Sequence, residues 1–348
     1  MTQKPLRVVI GCDVDPDRPD FGGTPYNAGN TRQVWQGVEC IPALRERLDK
    51  ITDANGRPVA VTWLLRCDEQ INVTEGTAAY LLRTYATVWE RCLRSGDEIG
   101  WHPHFWRLHQ DGVTWFQDIR DATFQKTILT DGFHAFAESW GKPPVSVRMG
   151  WDYQNTAAMT ALADLGIRID FSALPYQQCA GSQNDRGASF AGYYDWARTG
   201  TAPYFPSAAD YQQPGELPLV ELPNSVLHSK LIGFLAEARI AVRERSLRRL
   251  CRALSPGQAV ATRSLQVCLP PPLFQPMVQE LLARQEDWLV TYFHPDQLLP
   301  DKGQWLNNHI HRRAHFIRNM QTLLTRATQA GRPVEFLTAA EAAEKLQR

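Results

Sequence analysis

The sequence predicts an α/β fold of successive βα units curled into a closed or nearly closed barrel. Two observations lead there. Short β-branched or aliphatic runs alternate with longer stretches of helical character, which implies a mainly parallel sheet. Seven or eight such units fit within the 348 residues, more than one small open sheet needs. A doubly wound open sheet is the competing arrangement.

Taken in order, Leu6–Cys12, Val59–Leu65, Glu98–His102, Val145–Gly150, Ile167–Ser172, Leu219–Pro223, Leu289–His294 and Val334–Thr338 read as strands. Between them, Arg32–Ile51, Gly76–Ser95, Ile119–Trp140, Thr156–Leu165, Pro272–Glu286 and Asn308–Ala330 carry helical periodicity. Two stretches break the rhythm. Asp15–Asn30 is rich in Pro, Gly and Asp and reads as a long loop after the first strand. Residues 175–218, rich in Gly, Gln, Ser, Tyr and Trp, read as an irregular insertion over the barrel mouth of a single domain. Arg243–Arg252 is basic and amphipathic and reads as a surface helix.

Composition removes several function classes. Lys+Arg and Asp+Glu both number 37, so there is no excess positive charge to hold nucleic acid. No window approaches the ~18–20 apolar residues of a membrane span. Met1–Leu6 lacks the basic-then-apolar design of an export signal, so a cytoplasmic location is expected. The seven cysteines are scattered, odd in number and without a CxxC pair, which favours free thiols over disulfides or a thiolate metal site.

In parallel βα folds, ligands meet the carboxyl ends of the strands. There the sequence places Asp13 and Asp15 after the first strand, His102 and His104 after the third, Arg148, Trp151 and Asp152 after the fourth, and His294 after the penultimate one. Singly, such residues commonly cap helices or shape turns. Together they provide carboxylate and imidazole donors for a divalent cation, with a further acid, a base and an orienting guanidinium.

The ordered set resembles the polysaccharide deacetylases of the NodB-homology type, which have five short motifs on a distorted (β/α)7 barrel. Asp13 and Asp15 match the paired-Asp motif. Asp97-Glu98-Ile99-Gly100-Trp101-His102 matches a D-E-I-G-x-H segment. Arg148-Met149-Gly150-Trp151 matches the arginine turn. Gly166–Ser172, with Asp170, matches the Asp-rich strand, and Leu289–Pro295, with His294, matches the apolar strand ending in His. Glu221-Leu222-Pro223 is similar to a strand of the polysaccharide-biosynthesis relatives, and the likeness spans about residues 6–340. Val14 separates the two aspartates, which adjoin in the family. Position 106 is Trp where the family's second histidine falls, so the second imidazole is His104 or, alternatively, His109.

The resemblance implies a metal-dependent hydrolase that removes an acetyl group from a sugar nitrogen. It implies a divalent ion on Asp15, His102 and His104: zinc, with cobalt, nickel, manganese or iron as alternatives. Asp13 would be the base, Arg148 its orienter and His294 the acid. Trp106, Trp151, Asp152, Tyr176 and Asp170 would contact the saccharide, with Asp170 also steadying His294. A cytoplasmic member would act on a precursor: a nucleotide-linked sugar, a lipid-linked saccharide or an oligosaccharide. An amidohydrolase acting on a ureide or formamido group, and a non-catalytic carbohydrate-binding protein, are the other readings.

Overall fold

The computed structural model describes residues 4–17, 32–183, 189–229, 261–299, 304–306 and 309–347. The remainder of the expected Asp15–Asn30 loop after Asp17, and the expected helix Arg243–Arg252, lie outside them.

Eight strands form one parallel sheet: β1 (Leu6–Val14), β2 (Thr62–Leu65), β3 (Glu98–Trp101), β4 (Ser146–Val147), β5 (Ile169–Asp170), β6 (Val220–Glu221), β7 (Trp288–Phe293) and β8 (Val334–Leu337). Their order is β6-β5-β4-β3-β2-β1-β7. On its other edge β1 is shared, with β8 along Leu6–Val9 and β2 along Gly11–Val14. The curl is brought toward closure by segments next to the short edge strand. Ser225, just past β6, donates its N–H to Val290 O at 2.9 Å and receives the Val290 N–H on its Oγ at 3.0 Å. The chain thus adopts the distorted (β/α)7 barrel expected from its sequence.

Alternation along each strand fixes which residues enter the barrel. Val9, Leu64, Ile169, Phe171, Val220, Leu222, Val290 and Leu337 form one buried cluster with Ala339, Ala342 and Ala343 of the last helix (Ala339–Leu346). That cluster fills the barrel interior. Gly11 faces it, because a Cβ there would lie 2.5 Å from the Phe171 ring. Val8, Ile10, Cys12, Val14, Ile99, Trp101, Val147 and Phe293 point the other way, into a larger core beneath the surrounding helices. On β1 the series of Arg7, Val9, Gly11 and Asp13 shares one face, with Arg7 at the amino end and Asp13 reaching the carboxyl rim.

The helices depart from expectation mainly at their ends. The expected helix Arg32–Ile51 is two pieces, Gln36–Glu39 and Ile41–Leu48, and Pro42 sits in the first turn of the second, where its missing N–H costs nothing. The expected Gly76–Ser95 is Tyr80–Thr84 and Ala86–Arg94. Thr156–Asp164 and Ala122–Trp140 closely match expectation. Asn308–Ala330 starts only at Arg313, since His309–His311 pairs as a strand with Gln304–Leu306. Residues 175–218 contain an antiparallel hairpin, Gln178–Gln183 with Ser189–Asp195, where irregular chain was expected.

Candidate functional site

The residues singled out at four strand ends converge on one rim. His102 Nε2 lies 3.7 Å from Asp15 Oδ2, His104 Nε2 lies 3.4 Å from Asp15 Oδ1, and the two Nε2 atoms face each other at 3.1 Å. All three residues are buried, and these donor atoms lie within 4.8 Å of one another. His109 stands apart on the hairpin Trp106–Leu108/Trp115–Gln117, its side chain 36% exposed beside Asp111. The second imidazole at the cluster is therefore His104.

The donor set fits a divalent cation. His102 Nδ1 is 2.6 Å from the Arg148 carbonyl, which can only accept, so Nδ1 carries a proton and a cation would take the Nε2 lone pair. Without a cation, burial is outweighed by Asp13 and Asp15, which raise this imidazole above its ordinary range. Burial, with Arg66 beside it, pushes His104 down to about 4, so its ring is neutral near pH 7. Burial alone would raise the Asp15 carboxyl, but His104 and His102 more than offset this and hold it well below the usual carboxylate range. A carboxylate and two imidazole lone pairs then meet at one point, the donor chemistry of a site for zinc or a neighbouring transition metal.

Beside this cluster stands a second constellation. Arg148 donates through Nη1 to Asp13 and through Nη2 to Asp152, and its guanidinium packs over the Tyr292 ring at 3.8 Å. One cation thereby orients two carboxylates. Burial raises Asp152 to about 6 despite Arg148. His294 Nε2 lies 3.7 Å from Asp13 Oδ2 and 3.9 Å from Asp15 Oδ2, linking the two groups. Its backbone N–H donates to Gln297 Oε1 at 3.4 Å.

The rim backbone is bent to make this meeting. Trp151 (φ 59°) and Asp152 (φ 56°) adopt consecutive left-handed conformations, which cost a non-glycine residue energy. The turn aims Asp152 back at Arg148, and Trp196 pins it by donating Nε1–H to the Asp152 carbonyl at 2.7 Å. Gly150 must lack a side chain, since a Cβ there would fall 2.1 Å from the His104 ring.

The expected saccharide contacts divide. Trp106 is buried and stacks on His104 with an interplanar angle of 8°, and Trp151 meets Trp106 edge-on at 6.4 Å. Tyr176 is 48% exposed, on a left-handed backbone (φ 61°). Asp170 lies between two inward residues, Ile169 and Phe171, so alternation turns it to the outer side of the sheet. There Gln154 (2.7 Å) and Ser172 engage its carboxylate. Trp115 and Trp196, near the same rim, are fully buried.

Two residues at this rim escape sequence reasoning. Arg66, wholly buried, donates Nη1–H to Asp15 Oδ1 at 3.0 Å, and Asp68 grips the same guanidinium. Their signal was parity: the inward series of β2 runs Thr62, Leu64, Arg66. Conversely, Asp97 and Glu98 of the D-E-I-G-x-H stretch sit at the opposite end of β3 and perform structural work. Asp97 receives Arg45 Nη1 at 2.7 Å and Trp63 Nε1 at 2.8 Å.

No family model matches the chain, and no curated protein matches it. Solved structures do. One similar structure, from Parabacteroides distasonis, is described as a candidate glycoside hydrolase/deacetylase. The match has a TM-score of 0.52 at 12% identity and covers 99% of this chain and 72% of that one. Another, described as a candidate polysaccharide deacetylase from Mycobacterium smegmatis, matches with a TM-score of 0.49 at 17% identity, covering 99% and 91%. At such identities the likeness concerns the fold, which is the NodB-homology barrel expected from the motifs. Among the described residues, no helix is long and apolar enough to cross a membrane.

Proposed function

We propose that this chain is a metal-dependent hydrolase that removes an N-acyl group, acetyl foremost, from a saccharide. One observation carries the reading: Asp13, fixed by Arg148, stands beside the Asp15–His102–His104 donor cluster, with His294 facing both. A protein that merely binds sugar has no use for a cation site, an oriented carboxylate and an imidazole within one rim.

What a divalent ion on Asp15, His102 and His104 supplies is Lewis acidity, toward an amide carbonyl and toward water. Asp13 takes a proton from the attacking water. Arg148 keeps Asp13 ionised and aimed, because a guanidinium stabilises the charged form of a carboxylate it bonds. His294 delivers a proton to the departing amine, the role an imidazole fills near neutral pH. Trp151 and Trp106 offer aromatic faces to the C–H face of a sugar ring, and Asp152 offers an acceptor for its hydroxyls. An intracellular saccharide precursor is the substrate class this reading favours.

The test is hydrolysis assayed on N-acetylated saccharides and on cyclic ureides, with chelator and with added zinc, cobalt or manganese. Acetate release that chelator abolishes and divalent ions restore is the expected result. Ureide hydrolysis that survives chelation sinks the proposal in favour of a metal-free amidohydrolase. Saccharide binding without turnover under every condition leaves a non-catalytic binder.

A further inference from the structure

Arg66 and Asp68 form a buried couple at the carboxyl end of β2 that no part of the proposed chemistry uses. Arg66 donates Nε–H and Nη2–H to the two oxygens of Asp68, a fork that fixes the guanidinium plane. Its Nη2 also reaches Gln70 Oε1 at 3.1 Å. The remaining arm, Nη1, is delivered to Asp15 Oδ1 at 3.0 Å. Asp68 is itself anchored. Its Oδ1 caps the following helix, Glu69–Glu75, by accepting from Gln70 N (3.1 Å) and Ile71 N (3.3 Å). Its Oδ2 accepts the backbone N–H of His104 at 3.3 Å. The couple therefore touches two of the three candidate ligands, one through its side chain and one through its main chain.

Resting on the reading of Asp15, His102 and His104 as a cation site, we infer that the Arg66–Asp68 couple is the positioning element of that site. Arg66 bonds Oδ1 of Asp15, the oxygen that faces His104, while Oδ2 faces His102, so the fork fixes the carboxylate between the two imidazoles. A carboxylate with two imidazole donors suits zinc and its transition-metal neighbours, whereas calcium takes six to eight oxygens. The positive charge of Arg66 is matched by Asp68, so the couple orients Asp15 without adding net repulsion toward a cation. Outer partners of metal ligands matter on this scale, typically about 10–100-fold in metal affinity.

The experiment is zinc titration calorimetry on the whole protein and the visible spectrum of its cobalt complex, in the wild type, Arg66→Lys and Asp68→Asn. Lysine keeps the charge but loses the fork, and asparagine keeps the helix cap while loosening the arginine. We expect zinc to bind both variants about 10–100-fold more weakly. We also expect the cobalt absorption of Arg66→Lys to change shape as Asp15 is released. A role limited to folding would leave that spectrum unmoved. Wild-type affinity and spectrum in both variants, or tighter binding in Arg66→Lys, overturns the inference and leaves the hydrolase reading intact. Failure of both variants to fold without added cation makes the couple a folding element and overturns it too. A wild type that takes up no cation overturns both readings.

Discussion

The two ends of strand β3 carry charge in opposite ways. At its amino end, Asp97 and Glu98 are saturated. Asp97 accepts from Arg45, Val61 N (3.0 Å) and Trp63, while Glu98 accepts from Ser146 Oγ (2.6 Å), Thr62 Oγ1 (3.2 Å) and Ala340 N (2.8 Å). At its carboxyl end, the Nε2 atoms of His102 and His104 face each other, and beside them, past β4, the buried Arg148 Nε and Trp151 Nε1 have no hydrogen-bond partner among the described residues. Buried polar groups are almost always satisfied, so the saturated end is architecture, and the other end is the one the proposed chemistry uses.

This contrast can be broken or sharpened by substitution. The largest effect belongs to the rim. Asp13→Asn should lower turnover by about 10²–10⁴-fold, the usual weight of a positioned acid–base group, while saccharide binding measured by calorimetry persists. At the other end, Arg45→Leu strands Asp97 as an unpaired buried charge and should cost about 3–5 kcal/mol in urea unfolding. Turnover per folded molecule should stay unchanged there. If activity falls in step with stability loss at that distance, the division into two ends is wrong.

A smaller effect separates the ends by ligand. Zinc at about a hundred times its dissociation constant should raise stability by about 2.7 kcal/mol, read as a higher Tm that chelator reverses. His102→Ala should abolish that rise and Arg45→Leu should keep it. The smallest effect is expected at the bent turn. Trp151→Gly relieves a left-handed backbone that costs of order 1–3 kcal/mol, offset by the packing lost with the ring against Trp106. Net stability should then change little while KM for an N-acetyl saccharide rises. An unchanged KM removes Trp151 from the sugar contacts.

Much of the barrel was legible because its strands are short aliphatic runs whose neighbours along the chain are amphipathic helices. Strand ends then pointed to Asp13, Asp15, His102, His104, Arg148 and His294 without any knowledge of their contacts. Arg66 and Asp68 were missed because parity along β2 tells only which way Arg66 points, while its meaning lies in a partner 51 residues away. Asp170 shows how a strand end and a side-chain direction can differ. It stands at a strand end, but one residue of parity turns it from the interior toward Gln154 and Ser172. The last helix, Ala339–Leu346, was overlooked although Thr338 and Glu341 form a capping box that its sequence announces. The hairpin within residues 175–218 was hidden by Gly, Ser and Gln, which carry little strand preference.

Strand β1 lies between the earliest and the latest parts of the described chain: Arg7 pairs with Trp288, and Leu6 with Val334. Its neighbours on both sides thus include segments synthesised long after it. A nascent chain lacking them exposes an apolar strand with an open edge, the kind of surface that recruits other chains. His294 arrives in that same late segment. A copy that stops before Trp288 therefore lacks His294 at the rim and leaves β1 without β7 and β8, so the same truncation removes a residue of the proposed chemistry and uncovers an adhesive edge.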